Sequence, residues 1–327
     1  MERRSFLGAL TGGLLAGPLA AEAQQVGVHR VGLLFQGSPP PPTETPGPFT
    51  TAMRDLGYVE GQNVVFERRW AEGRNERFPT LATELVALNP DVIVADSTPA
   101  ALAARQATAS VPIVMINVSD PVGSGLIASL ARPGGNVTGS SDFGTEIAEK
   151  AVEMLHTVAP KATRIAVLMS DNPVHPSQLR VIQDAARKIG LAVLPTMART
   201  DNEFETAFAS MGKQGAGAFV LLGGAPFSTD RQVARILELA ANTRLPAAYP
   251  GRYWVQAGGL LSYGSSFLYR WQLTASYVAK ILKGARPSEL PVQQPAEVEL
   301  WINLKTAKAL GLTIPPSLLQ RADQVIE

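Results

Sequence analysis

The sequence predicts an α/β fold of two Rossmann-like, doubly wound lobes that are joined by three crossovers. Three observations indicate this fold. Short apolar, β-branched segments alternate with segments of helical periodicity, a second copy of that alternation follows the first, and stretches rich in Pro and Gly separate the copies. A chain of 327 residues is also long enough for two domains, each with its own core.

The first half of the chain alternates buried strands with helices. Short runs of Val, Ile and Leu are typical of parallel strands that are covered on both faces. Apolar residues that recur every three or four positions indicate the helices between them, and strands linked in this way form parallel sheets. The predicted strands are RVGLLF (30–35), NVVFERRW (63–70), DVIVAD (91–96) and VPIVMIN (111–117), and the predicted helices are 49–57, 78–88 and 99–108.

The second half repeats this order at similar offsets. RIAVLM (164–169) begins 134 residues after RVGLLF, and LPAAYPG (245–251) begins 134 residues after VPIVMIN. Between them, GAFVLLGG (217–224) begins 126 residues after DVIVADST. Such offsets in the same order indicate a duplicated unit, which predicts two lobes rather than one large sheet.

Three segments rich in Pro, Gly or Ser are predicted to carry the chain between the lobes, with surface loops as the alternative. They are 131–142, 256–266 and 287–295. A helix is predicted over 267–284, ending at Gly284 with Pro287 beyond. The predicted N-terminal lobe comprises 24–138 and 260–290, and the predicted C-terminal lobe comprises 139–259 and 291–327.

The N-terminus has the pattern of a cleavable signal peptide over residues 1–23. Arg3 and Arg4 open it, residues 5–21 carry no charge, and Ala21-Glu22-Ala23 supplies a small-x-small cleavage site. The run ERRSFLG resembles a twin-arginine signal, and an ordinary Sec signal is the alternative. No later segment has the continuous apolar character of a spanning helix. We therefore expect a soluble, periplasmic protein that is not embedded in a membrane.

Composition excludes several classes of function. The chain has no Cys, which excludes disulfides, thiolate metal sites, a cysteine nucleophile and a thioether-linked lipid anchor. Its 29 basic and 28 acidic residues lack the basic surplus of a nucleic-acid-binding protein. The three histidines lack metal-ligand spacing, and neither a phosphate-binding loop nor a GxSxG motif occurs. We expect no metal, no cofactor and no nucleic-acid partner, with an exported enzyme as an alternative to a binding protein.

The chain resembles a known family in four segments: LGYVEGQNVVFERRWAEG (56–73), SDPVGSGLIASLARPGGNVTG (119–139), GGLLSYG (258–264) and residues 281–327. The family is the type I periplasmic solute-binding proteins of ABC transporters, in the branch that includes tryptophan and tyrosine binders. The resemblance implies a hinged, monomeric receptor that closes over a small-molecule solute and delivers it to an ABC permease in the inner membrane. A sensor that presents the solute to a membrane receptor is the alternative role.

Most candidate ligand-binding residues follow predicted strands, because ligands of open α/β sheets bind beyond the carboxyl ends of the strands. Asp142 and Tyr263 are candidates because they lie at predicted crossovers. Ser97 and Thr98 begin a predicted helix, so we expect them to bind a ligand carboxylate unless they form a water-facing cap. Asp120 is the candidate partner of a ligand ammonium, with a simple Asp-Pro turn as the alternative. The other candidates are Gln36, Ser38, Asn117, Asp142, Asp171, Asn172, Gly224, Tyr249 and Tyr263.

The predicted solute is small, partly apolar and carries a carboxylate. An aromatic or other amino acid is the first choice, and aromatic carboxylates and small polar metabolites are the alternatives. Tyr249 and Tyr263 are the residues that we expect to stack on a flat ligand. We expect Phe219, Trp254 and Trp271 to lie in the core or on a lobe surface rather than at the ligand.

Overall fold

The computed structural model describes residues 27–40, 47–142 and 144–327, and two sheets organise them. The predicted signal peptide, residues 1–23, lies outside the described residues. The first sheet is all parallel, in the order β2-β1-β3-β4-β5. Its strands are β1 (His29–Phe35), β2 (Val64–Trp70), β3 (Val92–Asp96), β4 (Ile113–Ser119) and β5 (Val137–Asp142), and the connecting helices are α1 (Pro48–Asp55), α2 (Phe78–Ala87) and α3 (Thr98–Ala107).

The second sheet is larger and mixed. Its order is β12-β11-β10-β9-β8-β6-β7. The elements of the chain from Gly144 to Ser265 are α4 (Gly144–Val158), β6 (Arg164–Met169), α5 (His175–Lys188), β7 (Ala192–Met197), α6 (Phe204–Lys213), β8 (Ala218–Leu221), α7 (Asp230–Thr243), β9 (Ala247–Tyr249), α8 (Arg252–Gln256) and β10 (Leu261–Ser265). The remaining elements are α9 (Phe267–Leu282), β11 (Val298–Asn303), α10 (Leu304–Leu310), α11 (Pro316–Leu319) and β12 (Gln324–Ile326).

Helix α9 returns the chain to the first sheet. Its residues Trp271, Ala275 and Val278 are buried in the same apolar cluster as Val31 of β1 and Val94 of β3. Helix α1 covers that same face, whereas α2 and α3 cover the opposite one. The N-terminal lobe is therefore the first sheet with these four helices, and the C-terminal lobe is built on the second sheet.

Strand β11 corrects the prediction that the sheets are parallel throughout. It pairs antiparallel with β10, and Val298 at its start lies opposite Ser265 at the end of β10. The chain leaves the second sheet after β10, passes through α9 and returns at the same edge, so the next strand must run the other way. The first sheet and strands β6 to β10 of the second sheet are parallel as predicted, whereas β12 pairs parallel with β11 and therefore runs opposite to β6–β10 as well.

The lobe boundaries differ by a few residues from the predicted ones. The sequence places the first crossover after residue 138, but Val137–Asp142 is a strand of the first sheet. It places the second crossover after residue 259, but Leu261–Ser265 belongs to the second sheet. Glycines in both strands caused these errors: Gly139 has φ +127° and packs so closely on the Met115 backbone that a Cβ has no room.

Candidate ligand-binding cleft

A cavity of about 1140 Å³ lies between the two lobes. Gln36, Asp96 and Asn117 line it from the carboxyl ends of β1, β3 and β4, and Leu221 and Tyr249 line it from the ends of β8 and β9. The duplicated α/β units therefore place their ligand-binding edges face to face, as the topology of parallel sheets requires.

A chain of polar contacts crosses the N-terminal side of this cavity. The Asn117 Nδ2 donates to Asp96 Oδ1 at 2.6 Å, and the Asn117 Oδ1 accepts from Arg270 Nη1. The same Arg270 Nη1 lies 3.5 Å from Asp142 Oδ2. One arginine on α9 thus pairs with Asp142 from β5 and is linked to Asp96 from β3 through Asn117, so the group retains one negative charge when both carboxylates are ionised.

The two carboxylates are poorly hydrated. Asp96 is only 8% exposed, and burial raises its pKa from 3.8 to about 6, although the hydrogen bond from Asn117 and the charge of Arg270 lower it. Burial likewise raises the pKa of Asp142, and Arg270 opposes that rise. A cation placed beside Asp96 supplies the positive charge that this buried carboxylate lacks.

Ser97 and Thr98 form the start of α3 at the cavity. The Ser97 Oγ accepts from the Ala100 backbone N–H at 3.4 Å, which caps the helix as predicted. Ser97 has φ 120° and Asn117 has φ 57°, both in the left-handed region that non-glycine residues seldom adopt. Thr98 is 1% exposed, and its Oγ1 finds no hydrogen-bond partner among the described residues. The buried hydroxyl therefore has unused hydrogen-bonding capacity at a helix N-terminus.

Aromatic rings form a continuous wall beside the polar chain. Phe35 stacks on Trp70 with 5.9 Å between ring centroids and meets Trp271 edge-on at 6.0 Å. Trp271 in turn contacts Phe267 at 6.4 Å. All four rings line the cavity, which corrects the expectation for Trp271: it is buried in the core and also faces the cleft.

The C-terminal lobe closes the cavity with Tyr263, Tyr253 and the start of α8. Tyr253 Oη donates to the Phe227 carbonyl oxygen at 3.2 Å. Tyr249 lines the cavity but is 3% exposed, because its ring stacks on Trp254 with 5.0 Å between centroids and 12° between planes. Tyr249 is therefore little available to stack on a ligand, and the less buried Tyr263 keeps the stacking role as a prediction.

The structure brings most of the predicted site residues together at the cavity. Asp120 is not among them, because its Oδ1 accepts from the Gly123 backbone N–H at 2.8 Å and closes a turn outside the cavity lining. Asp171 also lies outside the lining and instead accepts from Asn75 Nδ2 at 2.8 Å across the mouth of the cleft. The predicted residues that line the cavity are Gln36, Ser38, Ser97, Thr98, Asn117, Asp142, Asn172, Gly224, Tyr249 and Tyr263, and their roles at a ligand remain predictions.

Sequence reasoning missed Asp96, Arg270 and Arg252 among the lining residues. Asp96 ends the predicted strand DVIVAD, so the strand-end rule that selects Ser97 also applies to Asp96. Arg270 lies on a helix that follows the second crossover, and no local pattern connects it with Asn117, 153 residues earlier.

The lobes touch across the mouth of the cleft. Ser228 Oγ donates to the Gln36 carbonyl oxygen at 3.1 Å, and Gln178 Nε2 lies 3.5 Å from Ser119 Oγ. With the Asn75–Asp171 hydrogen bond, these contacts join residues of the first sheet and its loops to residues of the C-terminal lobe. The structure is therefore a closed arrangement of the lobes.

Two α/β lobes that enclose a cleft at the carboxyl ends of their strands define a type I periplasmic binding protein. The chain belongs to the ABC transporter substrate binding protein family, whose sequence model matches residues 40–326. A protein named tyrosine-binding protein from Clostridioides difficile (strain R20291) is 30% identical over 265 residues, which cover 81% of this chain and 75% of the relative. Within the described ranges, no helix is long and apolar enough to cross a membrane.

Two solved structures of related proteins are similar to this chain over nearly its whole length. The ABC domain in complex with L-Trp from Streptococcus pneumonia has a TM-score of 0.81 at 28% identity, covering 91% of this chain and 99% of that one. The ligand-free, open structure of a substrate binding protein with adhesive properties from Clostridium difficile has a TM-score of 0.63 at 27% identity and the same coverage. At nearly equal identity and coverage, the overall structure of this chain is thus more similar to the L-Trp complex than to the ligand-free, open structure.

Proposed function

We propose that this protein is the solute receptor of an ABC importer and that its solute is an aromatic L-amino acid. The observation that carries the proposal is the juxtaposition, in one closed cavity, of a buried carboxylate, an unpartnered hydroxyl at a helix N-terminus and a wall of aromatic rings. These three features match the ammonium, the carboxylate and the side chain of such a solute.

Asp96 is the proposed partner of the α-ammonium group. Its carboxylate is buried and is linked to Arg270 only through Asn117, while Arg270 pairs with Asp142, so this group of side chains accommodates one more positive charge. A charge-assisted hydrogen bond from an ammonium group contributes about 1.5–3 kcal/mol. Asp96 therefore takes over the role that the sequence assigned to Asp120.

The start of α3 is the proposed site of the α-carboxylate. Thr98 follows Asp96 by two residues, which suits a solute whose two charged groups share one carbon. The Thr98 Oγ1 is buried without a partner in the part of the chain that the structure describes, and the ten-residue helix adds free N–H groups and a positive dipole end. This proposal keeps the predicted role of Ser97 and Thr98.

Hinge closure is the proposed mechanism of capture. A solute held by Asp96 and the aromatic wall also contacts Tyr263 and its neighbours in the opposite lobe only when the cleft is closed, so binding shifts the population towards the closed form. Residues 1–23 and the family support export to the periplasm, where the closed monomer would present its two lobe surfaces to a permease in the inner membrane.

Calorimetry on the full chain tests the proposal. We expect L-tyrosine, L-tryptophan or L-phenylalanine to bind, and we expect tyramine and tryptamine, which lack the carboxylate, to bind at least tenfold more weakly. The deaminated acids, such as 3-phenylpropionate, should lose a similar factor because Asp96 then has no cationic partner. Binding of the amine or the acid as tightly as the amino acid would contradict the proposal, as would the absence of binding by every aromatic amino acid.

A further inference from the structure

Arg252, at the start of α8, is held between two aromatic rings at the cavity wall. Its Cζ lies 4.8 Å from the centroid of Phe267 and 5.8 Å from that of Trp301. Phe267 begins α9 just after the second crossover, whereas Trp301 belongs to β11 of the second sheet. The guanidinium therefore sits where the aromatic wall of the N-terminal lobe meets the C-terminal lobe.

The charge of Arg252 is not neutralised, unlike that of the other two arginines that line the cavity. Arg68 donates to both carboxylate oxygens of Glu60 at 2.6 and 2.8 Å, and Arg270 pairs with Asp142. Arg252 has no carboxylate oxygen within 4.0 Å among the residues that the structure describes. Glu299 also lines the cavity, and its Oε2 accepts from Trp301 Nε1 at 3.1 Å.

Ring contacts on a guanidinium leave its hydrogen-bond donors free. The five N–H groups of arginine lie in its plane and point outwards, and aromatic rings occupy the faces. Such a group binds a planar carboxylate with two parallel hydrogen bonds. The two ring contacts also restrict the Arg252 side chain, which lowers the side-chain entropy lost when it binds.

Helix α9 connects the polar contacts at Asp96 with the position of Arg252. Phe267 and Arg270 are three residues apart on the same helix, which separates their Cβ atoms by about 5–6 Å. Arg270 belongs to the polar chain with Asp96, and Phe267 carries Arg252 on its face. A solute whose charged head lies at Asp96 and whose ring follows the wall from Trp271 to Phe267 therefore extends towards Arg252, which contacts Phe267.

We infer that Arg252 determines specificity for a solute with an anionic oxygen group at the distal end of its side chain. The inference rests on the proposed function, because it takes the amino acid head at Asp96 as given. The substrate class is then an aromatic amino acid with a distal carboxylate rather than one with a bare ring. The cavity of about 1140 Å³ has room for that extra group.

Titration of the full chain with three solutes tests the inference: L-phenylalanine, 4-carboxy-L-phenylalanine and the cationic 4-aminomethyl-L-phenylalanine. We expect the carboxylated solute to bind at least tenfold more tightly than L-phenylalanine and the cationic one to bind most weakly. In Arg252→Met the affinity ratio of carboxylated to plain solute should fall to about one or below. Arg252→Lys keeps the charge without the paired donors and should give an intermediate ratio.

Arg68→Met is the matched control, because it removes one positive charge from the same cavity at an arginine already paired with Glu60. It should leave the ratio above fivefold. A ratio near one in the parent protein, or a ratio that survives in Arg252→Met or collapses equally in Arg68→Met, overturns the inference while leaving aromatic amino acid binding intact. If none of the three solutes binds, the proposed function fails and the inference fails with it. Thermal melts of each variant confirm that it is folded.

Discussion

Asp96→Asn should raise the stability of the free protein and weaken solute binding at the same time. Asn keeps an oxygen that accepts from Asn117 Nδ2, so the substitution removes the charge while preserving the shape and that hydrogen bond. The side chain is 8% exposed, and little of the electrostatic effect is screened by water. The two effects have opposite signs because the same buried charge is unfavourable in the empty cleft and favourable beside an ammonium group.

The stability effect follows from the pKa. Burial raises the pKa of Asp96 from 3.8 to about 6, so the folded state binds the proton more tightly than the unfolded chain does. Protonated Asp96 therefore stabilises the folded state at low pH, and this contribution is lost as the pH rises from 3.8 to about 6. At 1.36 kcal/mol per pKa unit the ionised carboxylate costs about 3 kcal/mol above pH 6. We therefore expect Asp96→Asn to be up to about 3 kcal/mol more stable at pH 7.5 in urea unfolding, with the difference vanishing near pH 4.

The binding effect is measured by calorimetry with the best aromatic amino acid. Loss of a charge-assisted hydrogen bond of about 1.5–3 kcal/mol predicts a Kd that is about 10- to 150-fold higher. In the parent protein the affinity should fall about tenfold from pH 7 to pH 5, because ionised Asp96 becomes scarce below its pKa of about 6. The variant should show no such slope. Unchanged affinity in Asp96→Asn, or the same pH slope in both proteins, would refute the assignment of the ammonium to Asp96.

Two further predictions concern closure and pH. Gly37→Val should weaken solute binding about 5- to 150-fold by crowding the closed lobes, because a Cβ on Gly37 lies 3.1 Å from the Ser228 carbonyl oxygen, and overpacking costs about 1–3 kcal/mol. Small-angle scattering should show that the variant stays open at half-saturating solute. Gly135→Val is the control, because a Cβ on Gly135 meets no heavy atom within 4 Å. Equal affinities of Gly37→Val and the parent protein for the solute would contradict the closed arrangement. His175 accepts from the Ser170 N–H and donates to the Gly223 carbonyl oxygen. Burial lowers the pKa of His175, so the unfolded chain takes up the proton at a higher pH than the folded protein does. The free energy of unfolding should therefore fall as the pH drops below about 6.5. Urea unfolding at several pH values should show a shallower fall in His175→Gln, and identical slopes would exclude His175 as the cause.

Ten of the twelve predicted site residues line the cavity, and one local rule is sufficient to find eight of them. Apolar runs such as DVIVAD indicate where a buried strand ends, and parallel strands all end at the same edge. This rule alone predicts that Ser97 and Asn117 lie at the cleft. The rule failed at Asp120 because a short polar residue after a strand can equally cap a turn, and only the hydrogen bond to Gly123 shows which it does.

The boundary errors have a similar origin. Glycine is usually a sign of a turn, and GGNVTG and GGLLSYG were interpreted as crossovers for that reason. In β5 the absence of a side chain at Gly139 instead lets the strand approach Met115 of β4 closely. Local sequence does not distinguish a glycine that bends the chain from one that allows close packing, because the neighbouring strand is more than 20 residues away.

The sequence by itself determined that the chain folds as two related α/β lobes with their strand ends directed at a common cleft. Hydrophobic periodicity and a repeated order of elements can be recognised from the sequence alone, and they are sufficient for the parallel part of each lobe but not for the antiparallel strand β11. Only the tertiary structure decided the chemistry of the cleft, since Asp96, Asn117, Asp142 and Arg270 come from four separate elements. The charge and pKa of each of these groups depend on burial and on partners that the fold brings to within hydrogen-bond distance.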